Sequence, residues 1–398
     1  MDKTQTSDEI VSILDDIFKD RRGNIALHEP NFSGNELDYI KDCLDSGWVS
    51  SVGSYVDRFE KDLASFTKSS YAIAVVNGTA ALHISLLVAG VQPNDEVLIP
   101  SLTFVATANA VTYCGAIPHL VDISRDTLGL DPQKLSDYLH EIAVIKQNGF
   151  LYNRLTGRRI TAVVPMHTFG HPVDLDKLMD VCEMYRLILV EDAAESLGSY
   201  YKGKHTGTFG QISALSFNGN KVITTGGGGA VLTNNPDWAK RAKHLTTTAK
   251  VSHHWRFNHD EIGYNYRLPN LNAALGCAQL ERLPVLLNMK RKLASLYNER
   301  LSQVNGISFV SEPQFAESNY WLNAIRLSGS NRELRDAILE KTNGLGIMTR
   351  PTWTAMHNLE IYKHCPKMSL EVTEEMEESL INIPSSPSLL NLFKMGSK

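Results

Sequence analysis

Three short stretches of this 398-residue chain hold residue types that could do chemistry together. The first is SFNGNKVITTGGGGAVLTNN, Ser216 to Asn235, where one flexible amine, Lys221, stands ahead of two threonines and four glycines. Most lysines are surface charges, and a glycine-rich hairpin could carry one without consequence. The second stretch, LILVEDAAES (187–196), ends an apolar run in two carboxylates, Glu191 and Asp192. A carboxylate at that point is costly unless it caps the next helix or meets a cation. The third, VVNGTAALH (75–83), runs through Asn77, Gly78, Thr79 and Ala80 into a helical pattern. Small residues at a helix N-terminus leave N–H groups open beside the positive end of the dipole, a seat for phosphate. A plain strand–turn–helix with Thr79 as N-cap reads equally well. Walker spacing and G-x-G-x-x-G are both missing, so neither a nucleoside triphosphatase nor a dinucleotide site is indicated.

Together the three stretches offer a phosphate seat, an acid for a ring nitrogen and an amine for an aldehyde. Pyridoxal 5′-phosphate asks for all three, because it forms a Schiff base with a lysine and needs a carboxylate at its pyridinium nitrogen to act as an electron sink. That conjunction outweighs the surface reading of Lys221.

The elements around them fit an α/β sheet. YAIAVV (71–76), EVLIP (96–100), IPHLVDI (117–123), ITAVVPM (160–166) and LILVED (187–192) read as buried strands, with ISALSF and GAVLT beside the lysine. Between them GTAALHISLLVAG, FVATANAVTYCG, PQKLSDYLHEIAVIK and DLDKLMDVCEMY carry helical apolar spacing. This alternation predicts a mostly parallel sheet with helices on both faces, whose ligands bind beyond the carboxyl ends of the strands. From Leu271 to Leu301 the pattern is helical, interrupted near Pro284. A second cycle then predicts a smaller C-terminal α/β domain. The expected division is an N-terminal arm over 1–35, with one helix near Asp8–Lys19 outside both domains, a large domain over 36–285 and a small one over 286–398.

Composition is that of an ordinary soluble enzyme, 43% hydrophobic and 21% charged. The formal charge of −5 argues against nucleic acid or an anionic membrane as partner. No signal-like or membrane-length apolar run occurs, so a cytoplasmic location is expected. Five dispersed cysteines suit free thiols in a reducing compartment. His167 and His171 have ligand-like spacing, but Gly170 and Pro172 forbid the helix that would align them, and no metal is expected.

Seven ordered motifs, from GWVSSVGSYVDRFE through NGTAALH, PSLTFVATANAV, MHTFGHPVDLD, EDAAESLG and SFNGNKVITTGGGGAVLT to GYNYRLPNLNAALG, make the chain resemble the DegT/DnrJ/EryC1 sugar aminotransferases. The resemblance implies the fold type I of pyridoxal-phosphate transferases, like aspartate aminotransferase. LHEPNFSGNE, SFNGNK and TTGGGG make it similar to the branch that forms 4-amino-4,6-dideoxy-N-acetylglucosamine nucleotides on the way to bacillosamine and legionaminic acid.

By that resemblance Lys221 holds the cofactor and shuttles the proton, and Asp192 pairs with the ring nitrogen. Gly78, Thr79 and Ser216 bind the phosphate with Asn265 of a neighbouring subunit, so a homodimer with shared active sites is implied. Phe104 stacks on the ring. Glu195 stands beside it where many relatives have Gln or His. L-Glutamate would give the amine, and a nucleotide-linked 4-keto sugar would receive it. Arg267 is the candidate for the diphosphate. Trp353 and His357 are candidates for the sugar, with core packing and a solvated surface as their respective alternatives. Ser51 to Ser54 line the pocket or form a loop. A 3-aminotransferase differs only in how the sugar sits. The family's dehydratases carry histidine in place of Lys221, and a pyridoxal-phosphate-binding regulator would need an appended module, for which the N-terminal segment of about thirty residues is too short and too acidic.

Overall fold

The computed structural model of the chain describes residues 3–20 and 23–391. Runs of buried apolar residues without polar alternation make strands covered on both faces. Seven of them follow the order Tyr71–Val75, Gly229–Thr233, Ile212–Ser216, Ile188–Asp192, Arg159–Val163, Glu96–Pro100, Ile117–Val121. Only Gly229–Thr233 runs antiparallel to its neighbours, and every other pairing along this path is parallel. The strands ending at Val75, Asp192 and Ser216 therefore point the same way and open at one edge of the sheet. Helices Gly78–Val88, Val105–Tyr113 and Leu175–Tyr185 connect strands of this sheet that follow one another along the chain, as the apolar spacing predicts.

Four differences from the sequence reading have physical causes. The helix expected through IAVIK stops at Ile142, and Ala143–Ile145 pairs as a strand with Leu151–Asn153. The β-branched Ile142, Val144 and Ile145 favour that outcome. Asn77, not Thr79, caps the helix after the first strand, its side chain accepting from the Ala80 N–H at 2.8 Å. Helix Asn270–Leu301 passes through Pro284 unbroken, so the boundary expected at residue 285 lies inside one element. The N-terminal helix, Lys3–Ile17, does not stand apart: Ile10, Leu14 and Ile17 are buried with Leu293, Tyr297, Ile338 and Ile381. That cluster lies under a four-stranded antiparallel sheet, in the order Ile307–Phe309, Asn323–Leu327, Leu380–Ile383, Arg350–Pro351.

One buried charge fixes the end of the Ile188–Asp192 strand. The Glu191 carboxylate is fully buried and accepts the N–H groups of Gly207, Phe209 and Gly210, each at 2.7 Å. His167 Nε2 adds a fourth donor at 3.1 Å, while its Nδ1 accepts from the Val173 N–H at 3.3 Å. The loop can close this tightly because Gly210 has no Cβ, which would come within 2.5 Å of the Leu189 carbonyl oxygen. His171 turns away and packs edge-on to Tyr320, so the two histidines do not converge. Burial alone would raise the Glu191 pKa, but the His167 and backbone hydrogen bonds outweigh it and hold the carboxyl below its usual range.

Glu191→Gln should therefore cost about 3 kcal/mol or more, since an amide nitrogen would face backbone donors. The native pKa is depressed, so the stability this group contributes is complete above the ordinary glutamate pKa and is lost as pH falls through the folded value. Denaturant unfolding of the two proteins should differ most near neutrality and converge in acid. A constant difference across that range would contradict the charge argument.

Candidate active site

Lys221 follows the Ile212–Ser216 strand in a turn closed by its own N–H to the Asn218 carbonyl at 3.0 Å. Its Nζ lies 3.3 Å from Glu195 Oε1 and 3.7 Å from the centre of the Trp321 ring. Trp321 is held there by its indole N–H, which donates to the Asn220 carbonyl at 2.6 Å. The amine is thus aimed by a carboxylate on one side and an aromatic face on the other. Glu195, Ser216, Lys221 and Trp321 line one small recess.

Glu195 is fixed from behind, its Oε2 accepting the Phe169 N–H at 3.0 Å and its carbonyl the Asn319 amide at 2.8 Å. Burial pushes its carboxyl up to about 7, against the opposing pull of Lys221. Asp192 is also buried. The Thr107 hydroxyl donates to it at 2.7 Å and the Ala194 N–H at 3.2 Å. Burial raises its pKa, and these hydrogen bonds and the Lys221 charge offset that only in part.

The phosphate seat forms where two strand ends meet. A Cβ on Gly78 would come within 2.8 Å of the Ser216 Cβ, so only glycine lets this helix start so near the serine. Gly229 does the same for the turn before it, where a Cβ would lie 2.5 Å from Asn77 backbone atoms. The run of glycines thus seats the Asn77–Gly78 turn against the sheet. Gly78 and Thr79 open the helix, where N–H groups have no partner within it.

Phe104 precedes the Val105–Tyr113 helix with its ring half exposed (50%) and edge-on to Trp353 at 6.4 Å. Trp353 packs against Phe169 as well, so it borders the site while belonging to the core. His357 is not on a solvated surface: it is 7% exposed, with Nδ1 2.9 Å from the Ser101 hydroxyl and Nε2 3.5 Å from Glu374. With both nitrogens engaged, it braces the 356–358 turn. Asn265 is exposed and bridges Thr247 through the backbone. Arg267 bridges Val75, at the strand end that leads to Gly78, and its buried Nε has no partner among the described residues. Ser51 and Gly53 lie in the loop before helix Ser54–Thr67, a loop held by Asn270 through its amide N–H to the Trp48 carbonyl at 2.6 Å.

Trp321 and Thr107 escape the sequence reading. Trp321 reaches Lys221 from 100 positions away inside an unremarkable strand pattern, and Thr107 is one of several polar residues in a largely apolar helix. No local signal marks either.

The residues present fit pyridoxal phosphate. Asp192 is a buried carboxylate with no ion pair among the described residues, so it can meet a protonated ring nitrogen. The Gly78–Ser216 contact leaves the helix N-terminus open, and the Lys221 amine stands at hand. Residues 30–391 match the DegT/DnrJ/EryC1/StrS aminotransferase family. The chain belongs to that family. It is 36% identical over 368 residues to the GDP-perosamine synthase of Caulobacter vibrioides, covering 92% of this chain and 94% of that one. EpsN of Bacillus subtilis is 35% identical over 369 residues, 92% of each chain. The crystal structure of the aminotransferase TlmJ from Streptoalloteichus hindustanus superposes with a TM-score of 0.82 at 28% identity, covering 93% of this chain and 96% of that one. The protein is a pyridoxal-phosphate-dependent sugar aminotransferase.

Borohydride reduction of the holoenzyme should fix the pyridoxyl label on Lys221. Peptide mapping that places it on Lys202, which pairs with Asp176, or on the exposed Lys204 would overturn the assignment.

Proposed function

We propose that this enzyme moves the amino group of L-glutamate to C4 of a nucleotide-linked 4-keto-6-deoxy-N-acetylhexosamine, the step that leads to bacillosamine- and legionaminic-type sugars. One observation carries the amino-transfer chemistry: a lysine amine set between Glu195 and Trp321, near a buried Asp192 that makes no ion pair among the described residues. The choice of sugar rests on the wording of LHEPNFSGNE, SFNGNK and TTGGGG. The similarity to GDP-perosamine synthases favours a nucleotide-linked acceptor and brings GDP sugars into the test.

When bound, pyridoxal phosphate supplies an aldehyde and an electron-withdrawing ring that stabilises charge at the substrate carbon. The chain does the rest. The Gly78 and Thr79 amides and the Ser216 hydroxyl would hold the phosphate, Asp192 would keep the ring nitrogen protonated, and Phe104 would cover the ring. Lys221 Nζ would hold and move the proton at the substrate carbon, within reach of Glu195, whose carboxyl near pH 7 can hold or release a proton there. Phe169 and Trp353 exclude water from that side.

Asn265 is exposed in its own chain, followed by the orphaned Arg267. We read Asn265 as reaching the phosphate of a second copy, which makes a C2 dimer the smallest active unit. Mixing inactive Lys221→Ala with inactive Asn265→Ala should restore part of the activity, because one hybrid site keeps both residues. Confirmed heterodimers without recovery would show that the sites are not shared.

Arg267 is assigned to the nucleotide diphosphate. A charge-assisted contact is worth about 1.5–3 kcal/mol, so Arg267→Ala should weaken sugar-nucleotide binding roughly tenfold or more. The glutamate half-reaction, followed by the cofactor's absorbance, should change far less, and equal loss in both halves would reassign Arg267. A panel of UDP- and GDP-linked 3-keto and 4-keto sugars, read by mass spectrometry, tests the acceptor. Amination of a 3-keto sugar alone would defeat the C4 assignment.

A further inference from the structure

The long helix Asn270–Leu301 carries three polar residues, Asn272, Gln279 and Lys290, along one of its faces, spaced about two and about three turns apart. All three serve the loop of the reacting amine or the ring beside it. Asn272 donates its amide N–H to the Thr225 carbonyl at 2.7 Å, and Gln279 Oε1 accepts the Thr224 N–H at 3.4 Å. Lys290 Nζ donates to the Trp321 carbonyl at 3.1 Å and to the Ser385 carbonyl at 2.8 Å. One helix thus sets both the turn that follows Lys221 and the ring whose centre lies 3.7 Å from its Nζ.

Lys290 is fully buried and makes no ion pair among the described residues. Burying a charge is a costly way to satisfy two carbonyls. Burial pushes the Lys290 amine down to about 7, and the neutral amine keeps two N–H groups, one for each carbonyl. What the long stem adds is reach. It ties the helix to the segment that leads into strand Asn323–Leu327 and to the one that follows strand Leu380–Ile383. The Trp321 N–H donates to Asn319 Oδ1 at 2.8 Å, and its indole N–H to the Asn220 carbonyl at 2.6 Å. With its carbonyl held by Lys290, every polar group of the tryptophan is engaged. Its ring cannot leave the amine without stranding a buried donor or acceptor.

We propose that Lys290 is a positioning residue for amino transfer: through the Trp321 carbonyl it holds the indole face against Lys221 and fixes the geometry in which that amine reacts. This rests on the reading of Lys221 as the cofactor lysine and extends it to a residue buried behind the site. An indole face stabilises a cation set before it. The place of the ring therefore governs how firmly the Lys221 nitrogen keeps its proton.

The test uses the full-length holoenzyme and compares Lys290→Met, which keeps the stem without donors, with Lys290→Gln, which stays polar but is too short to hold both carbonyls. The pH midpoint of the cofactor's absorbance band should fall by roughly half a unit or more in both variants, as the ring loosens. Removing a nearby positive charge by itself would raise that midpoint. Glu195, Asp192 and His28, the other titratable groups that interact with Lys221, are the same in every variant. The rate constants of both half-reactions should fall about tenfold, since both use Lys221, with each KM within about twofold of wild type. In a Trp321→Leu background, Lys290→Met should move the midpoint no further. A midpoint that rises or stays, or an effect that persists in full without the tryptophan, would overturn the proposal. Should Lys290→Met fail to fold, Lys290→Gln gives the same readings. Wild-type enzyme whose borohydride label lies on another lysine would refute the reading of Lys221 itself, before any variant is compared.

Discussion

The Glu191 carboxylate is the constraint on which the active site hangs. Four donors converge on one buried charge, three of them backbone amides from a loop that glycine alone permits. A buried carboxylate met this fully has little freedom to shift, because any displacement strands a charge in a poor dielectric. Its neighbour in sequence, Asp192, faces the opposite side of the strand and inherits that fixity. The two adjacent acids thus divide the work. Glu191 spends its hydrogen-bonding capacity on the fold, and Asp192 keeps enough in reserve to meet a cation.

The site around Asp192 follows the same economy. Glu195, Lys221 and Ser216 come from the ends of neighbouring strands, where side chains can leave the sheet without breaking its ladder. Glycines at 78 and 229 let two such ends approach more closely than any side chain would allow. Most polar groups in this region are paired within the chain, and Arg267 Nε, on the segment that bridges Val75, is one of the buried atoms without a partner among the described residues.

The lysine, the acid and the turn before helix Gly78–Val88 were legible because each sits in a local pattern, a strand ending in an unusual residue. The strand segments and the family motifs were legible for the same reason, but the order of the strands across the sheet was not. What escaped depends on distance. Trp321 and Thr107 become part of the site only when remote segments meet. Asn77 wins the capping position over Thr79 because its extended backbone, at φ −168° and ψ 170°, turns the side chain back onto the Ala80 N–H. His357 seemed free for a substrate because nothing nearby in sequence foretells Ser101 and Glu374 as its partners. The continuous helix through Pro284 shows the reverse error, a local breaker overruled by packing on both sides.

The pairing of Glu29 with Ser386 spans 357 residues, and that of Trp321 with Asn220 spans 101. Contacts of such reach are the last that a growing chain can make, because loop closure must wait for both ends to exist. While the ribosome is still producing the final third, the parallel sheet can assemble with its lysine unguarded by tryptophan and with the His28 segment unanchored. Cofactor capture in its final form is thus a late event in the life of each new molecule. Products that end before residue 321 carry Lys221 without the tryptophan that aims it.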